Sequence, residues 1–191
     1  MKIFGLGLHR TGTSSLGACF HKMRYSQGHQ LDAYQRALEI HDGKYGNVWK
    51  HVNTYQAFQD SPWSHPGLYE KLDVLFPGSK FILTTRDVDK WMDSFHRWIH
   101  NKHPRLVKQN PYKTILEDVY GSNDMFGNTE QYKARYLAHN AAVIDYFKGR
   151  DNLLVVDWEA GDGWAELCPF LWEFPHLMKS RKRQALRHKP S

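Results

Sequence analysis

Two segments of this chain carry side chains and turns suited to holding anions. The first is Gly7-Leu8-His9-Arg10-Thr11-Gly12-Thr13-Ser14-Ser15, which directly follows an apolar run. Strand, glycine turn and helix start in that order form a phosphate-binding loop, in which backbone N–H groups and the helix N-terminus face one anion. The pattern GxxxxGK[ST] fits at Gly7, Gly12 and Ser14, but Thr13 stands where the lysine belongs. That lysine normally reaches the outer phosphates of ATP or GTP, so ordinary nucleotide hydrolysis is disfavoured. A cation is still present, as Arg10 inside the loop. The segment therefore reads as an anion site made of backbone N–H groups, the hydroxyls of Thr13 and Ser14, and one arginine. The second segment is Arg86-Asp87 at the end of an apolar run, with Ser94 eight positions later. Arg86 can fork onto a phosphate, and Ser94 lies about two turns into the helix that follows. Taken alone, an arginine after a strand is more often a surface salt bridge.

These groups need a scaffold. Residues 2–8, 80–85 and 152–157 read as buried parallel strands, short, apolar and bounded by polar residues or glycine. Weaker strand patterns lie near residues 25–29 and 57–60. Helical spacing covers 13–23, with Thr13 or Ser14 near the cap, then 31–40, 66–76, 88–100, 129–147, and a last stretch from 162 or 163 to 171. Alternating strands and helices imply an α/β fold: a three-layer, P-loop-like domain with a central parallel sheet flanked by helices. Ligands in such sheets bind beyond the carboxyl ends of the strands. Arg10, Asp60, Arg86 and Asp157 all fall at or just after a strand end, so they are expected to converge. Residues 101–128, with Pro104, Pro111, Gly121 and Gly127, read as a loop-rich lid or insertion.

The length of 191 residues suits one domain, expected over residues 1–178 with a basic tail at 179–191. The net charge of +6 belongs to that tail. Six of the 26 Lys and Arg residues (Lys179, Arg181, Lys182, Arg183, Arg187, Lys189) lie there with no acidic residue among them, leaving 20 against 20 Asp and Glu. The tail is either a solvated end or a flap over a polyanionic ligand. Nucleic acid is disfavoured as a partner because no aromatic residues are interleaved to stack on bases. Cys19 and Cys168 have no metal-ligand spacing and read as reduced thiols. No apolar run reaches membrane-spanning length, and the first strand begins too early for a leader, so a cytoplasmic protein is expected.

Together, the two anion segments resemble the sulfotransferases that use 3′-phosphoadenosine 5′-phosphosulfate (PAPS). In that family a PKSGTT-like loop binds the 5′-phosphosulfate, and an Arg with a Ser eight positions later binds the 3′-phosphate. This chain offers His9-Arg10-Thr11-Gly12-Thr13-Ser14 and then Arg86 with Ser94. The stretches GLHRTGTSSL, AFQDSPW and FPGSKFILTTRDVDKW look like a small prokaryotic-type branch of the family. The likeness is close over residues 1–100, looser over 152–177 and uninformative over 101–149. It implies PAPS as donor, no metal, and a small-molecule or glycan acceptor with a hydroxyl or amine. It also implies donor binding by His9, Arg10, Thr11, Gly12, Thr13, Ser14, Ser15, Arg86 and Ser94. Arg10 matches the loop lysine; being permanently charged and planar, it suits electrostatic stabilisation of the leaving oxygen rather than proton donation.

The family often places a catalytic His in a His-x-Pro segment after the second core strand. Asp60-Ser61-Pro62 matches that position, so the resemblance makes Asp60 the general base. His65, in the same loop, and His9 are rivals, although His9 beside bound anions is better suited to donating a hydrogen bond. The alternative reading of Asp60 is a cap on the turn after it or a partner of Arg10.

Other signals are weaker. His96, His100 and His103 imitate a metal trio, and Leu153-Leu154-Val155-Val156-Asp157 imitates a magnesium-holding strand; in a chain with 12 His both are common coincidences. Trp158, Trp164, Trp172 and Phe174 read as packing residues, with Trp91 or Trp63 as candidates to sandwich adenine. A magnesium-dependent P-loop kinase built on Asp157 and a non-catalytic anion-binding protein are the two rival readings.

Overall fold

The computed structural model describes residues 1–102 and 111–171. Among them, four strands form one all-parallel sheet in the order β2-β1-β3-β4. The strands are β1 (Ile3–Gly5), β2 (Ala57–Phe58), β3 (Lys80–Thr85) and β4 (Leu153–Asp157). Eight helices accompany them: α1 (Thr13–Lys22), α2 (Gln30–His41), α3 (Gly46–Thr54), α4 (Leu68–Leu75), α5 (Val88–Lys102), α6 (Tyr112–Tyr120), α7 (Thr129–Tyr146) and α8 (Trp164–Leu171). None is long and apolar enough to cross a membrane.

Strand residues alternate between two cores, as a doubly covered sheet requires. Phe4, Phe81 and Leu83 face a core shared with α3, α4 and α7. Ile3, Ile82 and Val156 face the opposite core, closed by Leu16, Cys19 and Phe20 of α1 and Leu167 and Leu171 of α8. A third core joins α2, α5, α6 and α7 around Trp91, Phe95, Tyr112, Tyr120, Tyr132 and Tyr136. The expected three-layer α/β arrangement is therefore present.

Three expectations change. The first strand ends at Gly5 rather than at residue 8, because Leu6 to Leu8 already turn toward the loop. Residues 111–128 are not a loop-rich lid. Pro111 and Gly121 bracket α6, whose Tyr112, Ile115, Leu116, Val119 and Tyr120 repeat at helical spacing and are all buried. Proline at a helix start and a left-handed glycine at its end, here with φ 78°, punctuate a helix rather than break one. The weak pattern near 25–29 reduces to a single bridge between Gln27 and Ala57. His103, Pro104, Trp172, Phe174 and the basic tail lie outside the described residues.

The chain runs from β1 outward to β2, then crosses back to β3 on the other side of β1. Such a reversal opens a crevice at the carboxyl ends of the strands. Three of the four ends deliver groups to it: His9, Arg10 and Gly12 after β1, Asp60 after β2 and Arg86 after β3.

The loop after β1 lies directly on β3. A Cβ on Gly7 would sit 1.8 Å from Thr84 Oγ1 and 2.6 Å from Thr11 Oγ1, so only glycine permits this approach. Gly7→Ala should therefore destabilise the fold by roughly 1–3 kcal/mol or more, because the collision is with packed groups. Urea denaturation monitored by tryptophan fluorescence measures that loss.

Candidate active site

Three carbonyls of the loop are held on the side away from the crevice. His139 Nε2–H donates to Leu6 O at 2.8 Å, the Thr11 hydroxyl donates to Leu8 O at 2.7 Å, and Trp91 Nε1–H donates to His9 O at 2.7 Å. The Thr84 hydroxyl then donates to Thr11 Oγ1 at 2.7 Å. Thr11 N–H approaches Leu8 O at 3.3 Å, so this residue is turned into the fold. Gly12, at φ 95°, opens α1, and the N–H groups of Gly12, Thr13, Ser14 and Ser15 have no hydrogen-bond acceptor among the described residues. Four free amides at a helix N-terminus make an anion cradle. A Cβ on Gly12 would meet the Trp158 indole at 2.3 Å, so the cradle is backed by an aromatic ring.

The crevice has a volume of about 310 Å³ and is lined by His9, Arg10, Gly12, Thr13, Ser14, Ser15, Asp60, Arg86 and Trp98. Most of the residues that sequence reasoning proposed thus lie around one cavity. Ser14 and Ser15 are exposed, whereas the Thr13 hydroxyl is buried and donates to Asp60 Oδ2 at 3.0 Å. Ser94 is buried on α5 and accepts from Arg10 Nε at 3.3 Å, which joins the two anion segments. Arg10 also lies over the Trp98 ring, 5.9 Å from its centroid. Its backbone is left-handed at φ 69°, a strained conformation for a non-glycine residue. Burial, followed by the nearby Arg86 charge, pulls the Arg10 pKa down. Two cations share this crevice.

Arg86 is fixed at its backbone by Tyr136, whose hydroxyl accepts from Arg86 N–H at 2.8 Å and donates to Arg86 O at 2.7 Å. Its guanidinium pairs with Glu159, while its Nε is buried without a partner. Lys90 approaches the same Glu159 at 3.4 Å. Glu159 was not anticipated from sequence, because nothing in a single acidic residue after β4 marks it as the partner of Arg86.

Asp60 is also left-handed, at φ 64°, and precedes a cis Ser61–Pro62 bond. Its Oδ1 accepts from Ser61 N–H at 2.8 Å. His9 Nε2 lies 3.7 Å from the same oxygen, too long for a hydrogen bond, and is buried with no partner. His9 Nδ1 is 3.0 Å from the Tyr120 hydroxyl. Burial lowers the His9 pKa; Asp60 opposes that shift and Arg10 adds to it. His9 therefore faces Asp60 and the third core, not the cradle.

His65 is almost fully buried and does not line the crevice. It borders a separate hollow of about 360 Å³ together with His41, Tyr45, Lys71 and Asp118. Its Nε2 meets Ser61 Oγ at 2.7 Å, and burial, with smaller contributions from His9 and His139, pushes its pKa to about 3.

Trp91 and Trp63 are not available to sandwich adenine. Trp91 is fully buried and stacked on Tyr136 at 4.3 Å, and Trp63 packs against Phe58 and His51. Of the metal-like histidines, His96 stacks on Phe126 at 4.8 Å. Among the described residues no cluster of His, Cys, Asp or Glu is arranged to hold a metal. Asp157 spends its carboxylate on the turn after β4, accepting from Glu159 N–H at 2.9 Å.

The model of the sulfotransferase-domain family matches residues 2–176. This chain belongs to that family. A curated relative, "Ava biosynthesis cluster protein M" of Aspergillus versicolor, is 25% identical over 94% of this chain and 82% of its own length. The family assignment supports sulfuryl transfer as the general reaction.

The His65 environment carries a pH prediction. A histidine whose folded pKa is about 3, against an ordinary 6.5, stabilises the fold fully above pH 6.5 and loses that contribution as pH falls toward 3. Within that window the slope from this group is about 1.4 kcal/mol per pH unit. Denaturation midpoints measured from pH 7 to pH 4 should show the decline. His65→Gln, which keeps a partner for Ser61 but does not titrate there, should flatten it by one proton.

Proposed function

We propose that this chain transfers a sulfuryl group from PAPS to a hydroxyl or amine acceptor by in-line displacement, within a single domain over residues 1–178. The observation that carries this reading is the shared cavity: free amides of α1, Arg10, Asp60 and Arg86 all border the same 310 Å³. The fit to a doubly anionic nucleotide rests on groups left without partners. The Gly12–Ser15 amides suit the phosphosulfate end, and Arg86, whose Nε has no partner, suits the 3′-phosphate. Besides burial, the Arg86 charge lowers the Arg10 pKa, a repulsion that an anion bound between the two would relieve.

The donor supplies an activated S–O bond; the protein's own contribution is positioning and charge. Arg10 stabilises negative charge on the leaving phosphate oxygen, which requires it to turn from Ser94 toward the cradle. Ser14 and Ser15 offer hydroxyls to the bound anion, while Thr13 is committed to holding Asp60. Asp60 accepts the proton of the attacking group, oriented by Thr13 and the Ser61 amide. Left-handed backbone at both Arg10 and Asp60 suggests conformations retained for this task. His65 is assigned a supporting role: a neutral imidazole that holds Ser61 and through it the Asp60 turn. The relative's name ties it to a biosynthesis cluster, which supports a small-molecule acceptor here.

Two measurements test this. Binding of 3′,5′-ADP should exceed that of AMP without magnesium, and Arg86→Ala should remove roughly 1.5–3 kcal/mol of that preference, as expected for a lost charge-assisted bond. Isothermal calorimetry reads both. Asp60→Asn should lower turnover of labelled PAPS by about 10²-fold or more while leaving 3′,5′-ADP affinity largely intact. Equal affinity for AMP and 3′,5′-ADP in the wild type would refute the donor assignment.

A further inference from the structure

Helix α7 buries Tyr132, Tyr136, His139 and Val143 against the fold, yet its opposite side is also apolar. Ala134, Leu137, Ala138, Ala141 and Ile144 all stand exposed there, Leu137 at 52% and Ile144 at 47%. Their spacing of three and four residues makes one continuous stripe along the helix, not isolated apolar residues on a polar surface. Exposed alanines are explained by helix propensity alone. Ile144 is not, because a β-branched residue lowers propensity and gains nothing in water. Such a stripe fits the seam of a helix pair.

The occupant that fits it is a second α7, running antiparallel across a two-fold axis. In such a pair residue i meets j of the partner and j meets i, so partners must be symmetric about one point of the chain. Leu137 and Ile144 are symmetric about the peptide joining Asn140 to Ala141. Arg135 and Asp145, of opposite charge, are symmetric about Asn140. Glu130, which also reaches Lys133 at 3.5 Å, and Lys148 are symmetric about His139. One apolar and two charged pairs thus share a single axis to within about 2 Å of helix rise.

The flanks agree as well. At about 100° per residue, Leu137 and Ile144 lie on one flank of the stripe, Arg135 on the other and Asp145 near the middle. A two-fold perpendicular to both helices keeps each flank on its own side. Leu137 therefore meets the partner's Ile144, while the long Arg135 side chain reaches the partner's Asp145. The alanines between let the two backbones approach to about 8 Å. Within the chain, neither Arg135 nor Asp145 has an ion pair among the described residues.

We infer that two copies of this chain associate through the outer face of α7, antiparallel about a two-fold axis near Asn140. This association stands apart from the reaction and does not depend on it. The inner face of the same helix holds both anion segments, through His139 on Leu6 O and Tyr136 on the Arg86 backbone. Pairing braces the helix that positions the site. A single helix pair, about 27 Å long for 18 residues, is small for a specific interface, so association belongs in the micromolar range.

Sedimentation velocity on the full chain, from about 1 to 200 µM, should show a monomer passing into a dimer. Leu137→Glu and Ile144→Glu should each keep it monomeric across that range, with unchanged circular dichroism. Arg135→Asp and Asp145→Arg should each weaken association by roughly 10-fold or more, since each sets like charges against one another across the axis. The double variant should recover wild-type association to within about 3-fold. Mixing the two single variants should also restore dimers, because every contact in a mixed pair joins opposite charges. Both recoveries require an antiparallel two-fold pair, and a purely structural role for either residue would produce neither. A chain that stays monomeric throughout overturns the inference; if Leu137→Glu then also lowers its melting temperature, the stripe is covered by residues 172–191 instead. A dimer that none of the four substitutions disturbs places the interface elsewhere and overturns it equally.

Discussion

The site depends on one constraint, the direction of the peptide groups between β1 and α1. A planar peptide points its N–H and C=O in opposite directions, so anchoring carbonyls on one side determines what the rest of the loop can offer on the other. His139, Thr11 and Trp91 each donate to a loop carbonyl, at Leu6, Leu8 and His9. Those donors come from α7, from the loop itself and from α5, so three parts of the fold must be in place before the cradle exists. Gly7 allows the loop to lie on Thr84, and Gly12 allows the turn into α1 against Trp158. The absence of a Walker lysine is consistent with this design, since the backbone and Arg10 carry the positive character.

The crevice is also a place of unrelieved charge. Arg10 and Arg86 border the same cavity, and each is parked on a protein partner, Arg10 on Ser94 and Trp98, Arg86 on Glu159. Ser94 is a neutral partner for Arg10, and Glu159 is shared between Arg86 and Lys90. Around Asp60, His9 Nε2 and Tyr112 Oη are buried without partners. They are two of several such atoms among the described residues, others being at Gln59, Ser64, His96 and Asn140.

The third core gives this neighbourhood its chemistry. Tyr112 and Tyr120 come from α6, Phe95 and Trp98 from α5, and together they wall off the back of the loop from water. In that setting burial lowers the His9 pKa and raises that of Tyr120, and the two side chains meet at 3.0 Å. Without α6 the same His9 would be a solvated side chain beside an anion site. The helix that sequence reasoning took for a lid is therefore part of the site's foundation.

Much of this was legible along the chain. Apolar runs with the right punctuation announced three of the four strands, and the spacing of Gly7, Gly12, Arg10, Arg86 and Ser94 announced two anion segments. Local chemistry suffices there, because a glycine turn before a helix and an arginine after a strand act through their own backbone. The helix at 112–120 was also written in its apolar spacing, and only the prolines and glycines at its ends obscured it. Other features have no local signature. That Glu159 holds Arg86, that Trp91 and Trp63 are buried away from any nucleotide, and that His9 looks toward Asp60 and Tyr120 across 51 and 111 positions of chain are consequences of packing. Residue types and spacing determined a glycine turn before a helix and two arginines beyond the carboxyl ends of a parallel sheet. Only the tertiary structure decided which side chains face the cavity and which are spent on the fold, because that choice depends on burial, and burial is a property of the assembled chain.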